Sequence, residues 1–189
     1  MNFVIIYGSV RTARQGIKVT RYIDSQIRSR GHTTALIEPV IYRLPLLDRM
    51  YKEYKGDAPA PLDELADFYK KADGFVIVSG EYNHGIPPAL KNLLDHFLEE
   101  YFWRPSAIVC YSAGGFGGVR AAMQLRMTLS ELGMPSIPSI LPFARIGSAS
   151  SEEGVPHDPA TALPTVRFLS ELEWYARALR AERGKGTPY

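Results

Sequence analysis

The chain has 189 residues, of which 46% are hydrophobic and 22% charged, as is typical of a globular protein with a substantial core. A net charge of +2 with scattered basic residues argues against a nucleic-acid-binding protein, and a single cysteine excludes an internal disulfide. The four histidines lack metal-ligand spacing, no signal-peptide pattern is visible, and no apolar run reaches membrane-spanning length. We therefore expect a cytoplasmic protein with no metal, membrane or nucleic-acid partner.

The chain begins with a strand–loop–helix pattern. The apolar run 3–7 predicts a buried strand, and helical spacing of apolar residues starts after Gly16. The loop between them carries the Ser9 hydroxyl and the guanidinium groups of Arg11 and Arg14. Unpaired amides at a helix N-terminus bind anions, and such side chains suit phosphate oxygens. The loop lacks the glycine motifs of nucleotide triphosphate and dinucleotide sites, so it predicts a site for a terminal monophosphate, such as that of FMN. A plain polar turn is the alternative.

The remaining pattern alternates between strands and helices. A second strand over 33–37 is followed by a long polar connection, 38–61. Continuous apolar runs predict buried strands over 74–79 and 105–111 and a shorter one over 136–141. Helical periodicity predicts the intervening helices over about 62–72, 90–98 and 119–132, and a last helix that follows the loop 142–164 and ends near 183.

Five alternations predict an α/β fold: a doubly wound, five-stranded parallel sheet with helices on both faces. We expect the flavodoxin-like strand order 2-1-3-4-5, a single domain over 1–183 and a flexible C-terminal tail over 184–189.

Unusual loops follow the first, third and fourth strands, which are neighbours in this strand order. The second loop, 80–88, contains Tyr82 and Asn83, and the third, 112–118, is rich in glycine and contains Phe116. Because their strand ends meet at the topological switch point, the three loops should form one crevice. A phosphate site at one end and a flat surface bordered by amides at the other indicate FMN.

Three segments of the chain resemble the NAD(P)H-dependent FMN reductase family, which includes quinone, chromate and azo reductases. They are Gly8–Arg11, Glu81–Asp95 and Ser112–Gly118, and the segment Leu44–Asp48 also matches. The resemblance implies non-covalent FMN, a homodimer or homotetramer, and two-electron transfer from NAD(P)H to a quinone, free flavin, azo compound or metal oxyanion.

The resemblance also implies which residues bind the cofactor. The phosphate and ribityl chain are assigned to Ser9, Arg11, Arg14, Gln15, Gly16 and Ile17. The isoalloxazine ring is assigned to Glu81, Tyr82, Asn83, His84 and Gly85 on one side and to Ser112, Gly114, Gly115, Phe116 and Gly117 on the other. Two departures from the family pattern stand out: Arg14 replaces a frequent serine, and Gly80 replaces a frequent proline.

Hydride transfer between nicotinamide and flavin requires orientation rather than a protein acid or base, so no catalytic side chain is predicted. His84 is a conceivable general acid, but no partner that would position it is evident, and a contact to FMN or a second subunit is favoured. The alternatives to a reductase are a flavodoxin-type single-electron carrier and an FMN-binding module without turnover. NADH and NADPH are both candidate donors, and a dimer and a tetramer are both candidate assemblies.

Overall fold

A computed structural model describes residues 1–189. Five strands form the sheet: β1 (Asn2–Tyr7), β2 (Thr33–Ile37), β3 (Gly74–Gly80), β4 (Ser106–Tyr111) and β5 (Ser136–Phe143). Six helices connect and follow them: α1 (Gly16–Ser29), α2 (Pro39–Tyr42), α3 (Ala60–Lys71), α4 (Pro88–Asp95), α5 (Val119–Glu131) and α6 (Ala162–Arg183).

All strand pairs are parallel, and their order is β2-β1-β3-β4-β5, which confirms the predicted doubly wound sheet. The strands β3 and β4 are buried along their whole length because helices cover both faces. Their unbroken apolar runs reflect this two-sided burial. The carboxyl ends of β1, β3 and β4 therefore lie side by side at one edge of the sheet.

A separate hydrophobic core packs on each face of the sheet. Apolar side chains of α3, α4 and α5 cover one face, and those of α1 and α6 cover the other. On α1 the core residues Val19, Ile23 and Ile27 recur every four residues, so they form one stripe directed at the sheet. These two layers hold the strand ends, and thus the loops that follow them, in fixed positions.

The fifth strand differs from its prediction. It is the longest in the sheet, with 8 residues, although a shorter strand ending at residue 141 was expected. Pro138 lies in an irregular stretch where the register with β4 shifts, which an edge strand tolerates because its outer side needs no partner. Arg126 of α5 donates to the carbonyl oxygens of Ile137 and Pro138 and so satisfies acceptors in this stretch.

The long connection after β2 contains α2 and a short 3₁₀ helix, Tyr51–Tyr54. Asn92 of α4 fixes its apolar segment, because it accepts from Leu47 N (2.9 Å) and donates to Pro45 O (2.8 Å). In the C-terminal segment, the Tyr189 ring centroid lies 5.0 Å from that of Trp103.

None of the helices combines the length and the apolar character needed to cross a membrane. No group of three or more His, Cys, Asp or Glu side chains could hold a metal ion.

Candidate active site

A cavity of about 180 Å³ lies where the loops after β1, β3 and β4 meet. Its lining comes from all three loops, together with the end of β4 and one residue beyond β5: Ser9, Arg11, Ala13, Arg14, Gln15, Gly80, Glu81, Tyr82, Tyr111, Ala113 and Ile146. The predicted convergence of three strand ends on one crevice is thus present in the fold.

The first loop presents a run of unused amide donors. The N–H groups of Thr12 to Ile17 donate to no acceptor within the chain, and the first turn of α1 has no acidic residue. Ser9 is buried, and its Oγ accepts weakly from Arg11 N (3.4 Å) and lies 3.5 Å from Tyr82 Oη. Free amides and a hydroxyl at the positive end of a helix dipole form a site suited to an anion.

The two arginines of this loop differ in their partners. Arg14 Nη2 donates to Glu38 Oε2 at 2.6 Å, and the Glu38 side chain is only 11% exposed. The guanidinium of Arg14 also lies over the Tyr7 ring, 5.9 Å from its centroid. Arg11 makes no side-chain hydrogen bond or ion pair within the chain. Its charge is therefore uncompensated, whereas that of Arg14 is already balanced.

Tyr111 forms the inner wall of the cavity. A Cβ placed on Gly16 would lie 2.5 Å from Tyr111 Oη and still nearer to two ring carbons, and one on Gly80 would lie 3.1 Å from the ring. The hydroxyl of Tyr111 donates to Tyr7 Oη at 3.4 Å. Burial raises the pKa of both tyrosines, so both hydroxyls stay protonated at neutral pH.

The second loop is a tight turn. Tyr82 N donates to Gly85 O (3.0 Å) and Gly85 N to Tyr82 O (2.9 Å), and the two residues between them, Asn83 and His84, both have positive φ (50° and 66°). Gln124 of α5 reinforces the turn by donating to His84 O at 3.3 Å. Positive φ is uncommon outside glycine, although asparagine and histidine adopt it more often than most residues, so two such residues in succession indicate that the surrounding contacts impose this turn.

Glu81 anchors the same loop to α5. Its carboxylate accepts from Arg120 N (3.0 Å), Arg120 Nη1 (3.1 Å) and Ala121 N (3.3 Å). Burial alone would raise the pKa of Glu81, but the hydrogen bonds from Ala121 and Arg120 outweigh it, and the pKa is lowered. The side chain of Glu81 thus caps a helix, and the loop backbone is positioned as a consequence.

The third loop is supported from β5. Arg145 N donates to Gly114 O (2.9 Å) and Ile146 N to Ser112 O (3.0 Å). A Cβ on Gly114 would have no neighbour within 4 Å, so the space above it is open. Phe116 is exposed, and the Arg120 guanidinium lies 4.5 Å from its ring centroid.

Six of the predicted site residues line the cavity: Ser9, Arg11, Arg14, Gln15, Glu81 and Tyr82. Gly16 lies behind it against Tyr111, and the Ile17 side chain packs on the α1 core. The others lie outside the lining, on the second and third loops: Asn83, His84, Gly85, Ser112, Gly114, Gly115, Phe116 and Gly117.

Sequence reasoning missed five residues of the lining: Ala13, Gly80, Tyr111, Ala113 and Ile146. Three of them, Ala13, Gly80 and Ala113, lie within the predicted loops, and Tyr111 immediately precedes the third loop. Nothing in the local sequence marks Ile146, because contacts with distant residues place it there, among them core packing and the hydrogen bond from its amide to Ser112 O.

The chemistry of the donor set fits FMN. The free amides and Ser9 suit a phosphate monoester, Arg11 supplies an unpaired charge, and the open surface beside Gly114 leaves room for a flat ring. The cavity of about 180 Å³ is small, so FMN would extend from it over the open surface beside Gly114.

Comparison with known proteins agrees with this chemistry. The family described as NADPH-dependent FMN reductase matches residues 1–146. An NAD(P)H-dependent FMN reductase from a Nectria species is 32% identical over 74% of this chain and 74% of its own length. A quinone reductase from Escherichia coli K12 is 32% identical over 68% of this chain and 69% of its own length.

Solved structures agree on the fold. The flavoenzyme NAD(P)H:(acceptor) oxidoreductase FerB from Paracoccus denitrificans superposes with a TM-score of 0.75 at 21% identity, covering 93% of this chain and 97% of its own. A flavodoxin from Pseudomonas aeruginosa superposes with a TM-score of 0.57 at 16% identity, covering 92% and 99%. From the match over residues 1–146 and the site described above, we conclude that the chain belongs to the NADPH-dependent FMN reductase family of flavodoxin-like oxidoreductases.

Proposed function

We propose that this chain binds FMN non-covalently in the crevice at the ends of β1, β3 and β4 and passes two electrons from NAD(P)H to a small-molecule acceptor. The observation that carries the proposal is the run of unpaired amides from Thr12 to Ile17, which faces two further loops across one crevice. Bound FMN supplies the hydride-accepting and electron-donating chemistry.

The phosphate is assigned to the first loop, where the amides of 12–17 and the Ser9 hydroxyl donate hydrogen bonds and Arg11 supplies a positive charge. Arg14 is assigned to both Glu38 and the phosphate, because its ion pair with Glu38 holds the guanidinium beside the cavity. Gln15, Gly16 and Ile17 contribute backbone donors at the first turn of α1.

The flavin ring is assigned to the two remaining loops. The turn Tyr82–Gly85 borders one side, held by Glu81 and Gln124. The segment Ser112–Gly117 borders the other side, held by hydrogen bonds from the backbone beyond β5. Amides fixed in this way can stabilise negative charge on a reduced ring without reorganising.

No side chain of the site is assigned proton transfer. The hydroxyls of Tyr7 and Tyr111 are buried with raised pKa values, and burial raises the pKa of Cys110 to about 12. Cys110 is therefore a protonated thiol at neutral pH and not a nucleophile. The residues of the chain bind and orient the nicotinamide and flavin rings, which is sufficient for hydride transfer between them.

Quinones, free flavin, azo compounds and metal oxyanions are the acceptors that we propose. Among relatives, the quinone reductase noted above supports the first class, and an NADPH azoreductase from a Bacillus species, 30% identical over 73% of this chain and 74% of its own length, supports the azo compounds. We propose a ping-pong order, in which NAD(P)H would deliver its hydride and leave as NAD(P)⁺ before the acceptor binds in the same crevice.

An absorption spectrum tests the proposal. The purified protein should retain or bind FMN, anaerobic NAD(P)H should bleach the flavin band, and a quinone should restore it. A protein that neither retains nor binds FMN would contradict the proposal. A bound flavin that NAD(P)H leaves oxidised would favour an electron carrier or a binding module instead.

A homodimer or homotetramer in the cytoplasm is part of the same proposal. Large apolar side chains are exposed, among them Leu46 (86%) and Met127 (69%), and a second copy would bury such side chains. The buried, unpaired Cys110 is compatible with a reducing compartment. Light scattering of the purified protein measures the mass, and a monomer at micromolar concentration would refute the oligomer.

A further inference from the structure

A second cavity, of about 660 Å³, lies between β5 and the start of α6, next to the flavin crevice. Its lining is formed by the second half of β5, the segment 144–161 and the first turns of α6. The volume falls within the range of small-ligand sites. The assigned flavin loops do not account for this cavity.

Two arginines without a hydrogen-bond or ion-pair partner line this cavity. Five arginines in the chain make no side-chain hydrogen bond or ion pair: Arg11, Arg21, Arg145, Arg167 and Arg177. One of them, Arg11, lines the flavin cavity, and two, Arg145 and Arg167, line the larger cavity. Unpaired guanidinium groups within a concave surface are suited to phosphate, because they present several donors in a fixed plane.

Other polar groups complete the lining. His157 Nδ1 lies 3.1 Å from Ser148 O and therefore donates, which leaves Nε2 free. The one carboxylate, Asp158, accepts from Ala160 N at 2.9 Å. The cavity thus carries a net positive charge, with one acceptor that suits a sugar hydroxyl.

Consecutive residues of the chain line the two cavities. Arg145 lines the larger one and Ile146, the next residue, lines the flavin cavity. Both residues are tied to the third flavin loop by their amides, and a Cβ on Gly115 would lie 4.0 Å from Arg145 Nη2. Arg145 also has a positive φ of 47°, a conformation that a non-glycine residue keeps only where its surroundings impose it.

We propose that this cavity binds the phosphates of the dinucleotide electron donor, with Arg145 and Arg167 as the phosphate-contacting residues. The inference rests on the proposed function, because a donor whose nicotinamide reaches the flavin must place its phosphates nearby. The two possible sources of the phosphate are the pyrophosphate, which NADH and NADPH share, and the 2′-phosphate, which only NADPH carries.

The test uses the FMN-loaded protein and two nucleotides without nicotinamide, ADP and adenosine 2′,5′-bisphosphate. Calorimetry should detect binding of at least one of them to the wild type. Arg167→Ala and Arg145→Gly should weaken that binding by about tenfold to a hundredfold, as expected for a lost charge-assisted contact. Glycine is used at 145 because it adopts positive φ without strain.

Arg177→Ala is the matched control, since it removes an unpaired arginine from the same helix about 15 Å further along. In steady-state turnover, both cavity variants should raise the KM for the donor. Arg167→Ala should in addition leave kcat and FMN affinity unchanged, because Arg167 makes no contact with the flavin loops. If only the KM for NADPH rises, the cavity binds the 2′-phosphate. If the KM values for NADH and NADPH rise equally, it binds the pyrophosphate.

The proposal is overturned if neither nucleotide binds the wild type, or if the cavity variants match Arg177→Ala in both KM values. In either case NAD(P)H can still bleach the flavin, so the proposed function would stand. If NAD(P)H fails to bleach the flavin of the wild type, the proposed function fails, and calorimetry still decides whether the cavity binds nucleotide phosphates.

Discussion

Gly16→Ala tests the inner wall of the flavin cavity. Gly16 is the first residue of α1, and its Cα faces the Tyr111 ring so closely that a Cβ would come within 2.5 Å of the hydroxyl oxygen. The ring cannot move away on its other side, because it also lies against Gly80 and is only 8% exposed. The added methyl group must therefore displace the ring, the start of α1, or both.

The expected loss of stability follows from two opposing contributions. Overpacking of a filled site costs about 1–3 kcal/mol. Alanine in place of glycine returns about 0.4–1 kcal/mol by restricting the unfolded chain. The net loss is therefore between about 0 and 2.6 kcal/mol, which lowers the Tm by up to about 10 °C for a chain of this size. FMN affinity should fall as well, since Tyr111 and the first turn of α1 both border the cavity.

Thermal unfolding without FMN and fluorescence titration with FMN measure the two effects. Gly147→Ala is the matched control, because a Cβ there meets no atom within 4 Å and its φ is not positive. In a Tyr111→Ala background the ring is gone, so Gly16→Ala should no longer destabilise the protein. If Gly16→Ala matches the control in both assays, or if the double variant shows no coupling, the close approach is wrong.

Three further predictions concern the loops. Arg11→Ala should weaken FMN binding about tenfold to a hundredfold, as expected for a lost contact of about 1.5–3 kcal/mol. Arg21→Ala is the control and should leave FMN binding unchanged, so equal FMN titration curves for the two variants would refute the assignment of Arg11. Glu81→Gln should destabilise the protein by about 1–3 kcal/mol at pH 7. Because the folded pKa of Glu81 is lowered, its contribution to stability is present above the unfolded pKa of about 4.3 and is lost as the pH falls through the folded pKa. Denaturation should therefore show a difference in unfolding free energy between wild type and Glu81→Gln at pH 7, and this difference should disappear at low pH. His84→Asn should keep kcat, since asparagine accepts the positive φ; a loss of a hundredfold would identify a proton donor.

Some features of the site depend on residues that are close in sequence, and others depend on contacts between residues that are far apart. The first loop could be recognised because strand, loop and helix are consecutive, so the free amides are a local property. The pairing of Arg14 with Glu38 spans 24 residues, and the capping of α5 by Glu81 spans 39, so no local pattern contains them. The side chains of Arg14 and Glu81 were expected to face the cofactor, and the structure gives each of them a partner within the chain.

The sequence by itself determined the order of strands and helices, the two-sided burial of the sheet and the three loops that meet at its edge. It could do so because apolar runs, helical periodicity and glycine-rich turns are short-range signals. Only the tertiary structure decided the length of β5, the close approach of Tyr111 to Gly16 and the placement of Arg145 and Ile146 in the linings of two different cavities. These features depend on contacts between residues far apart in the chain, which packing of the whole domain selects and neighbouring residues do not encode.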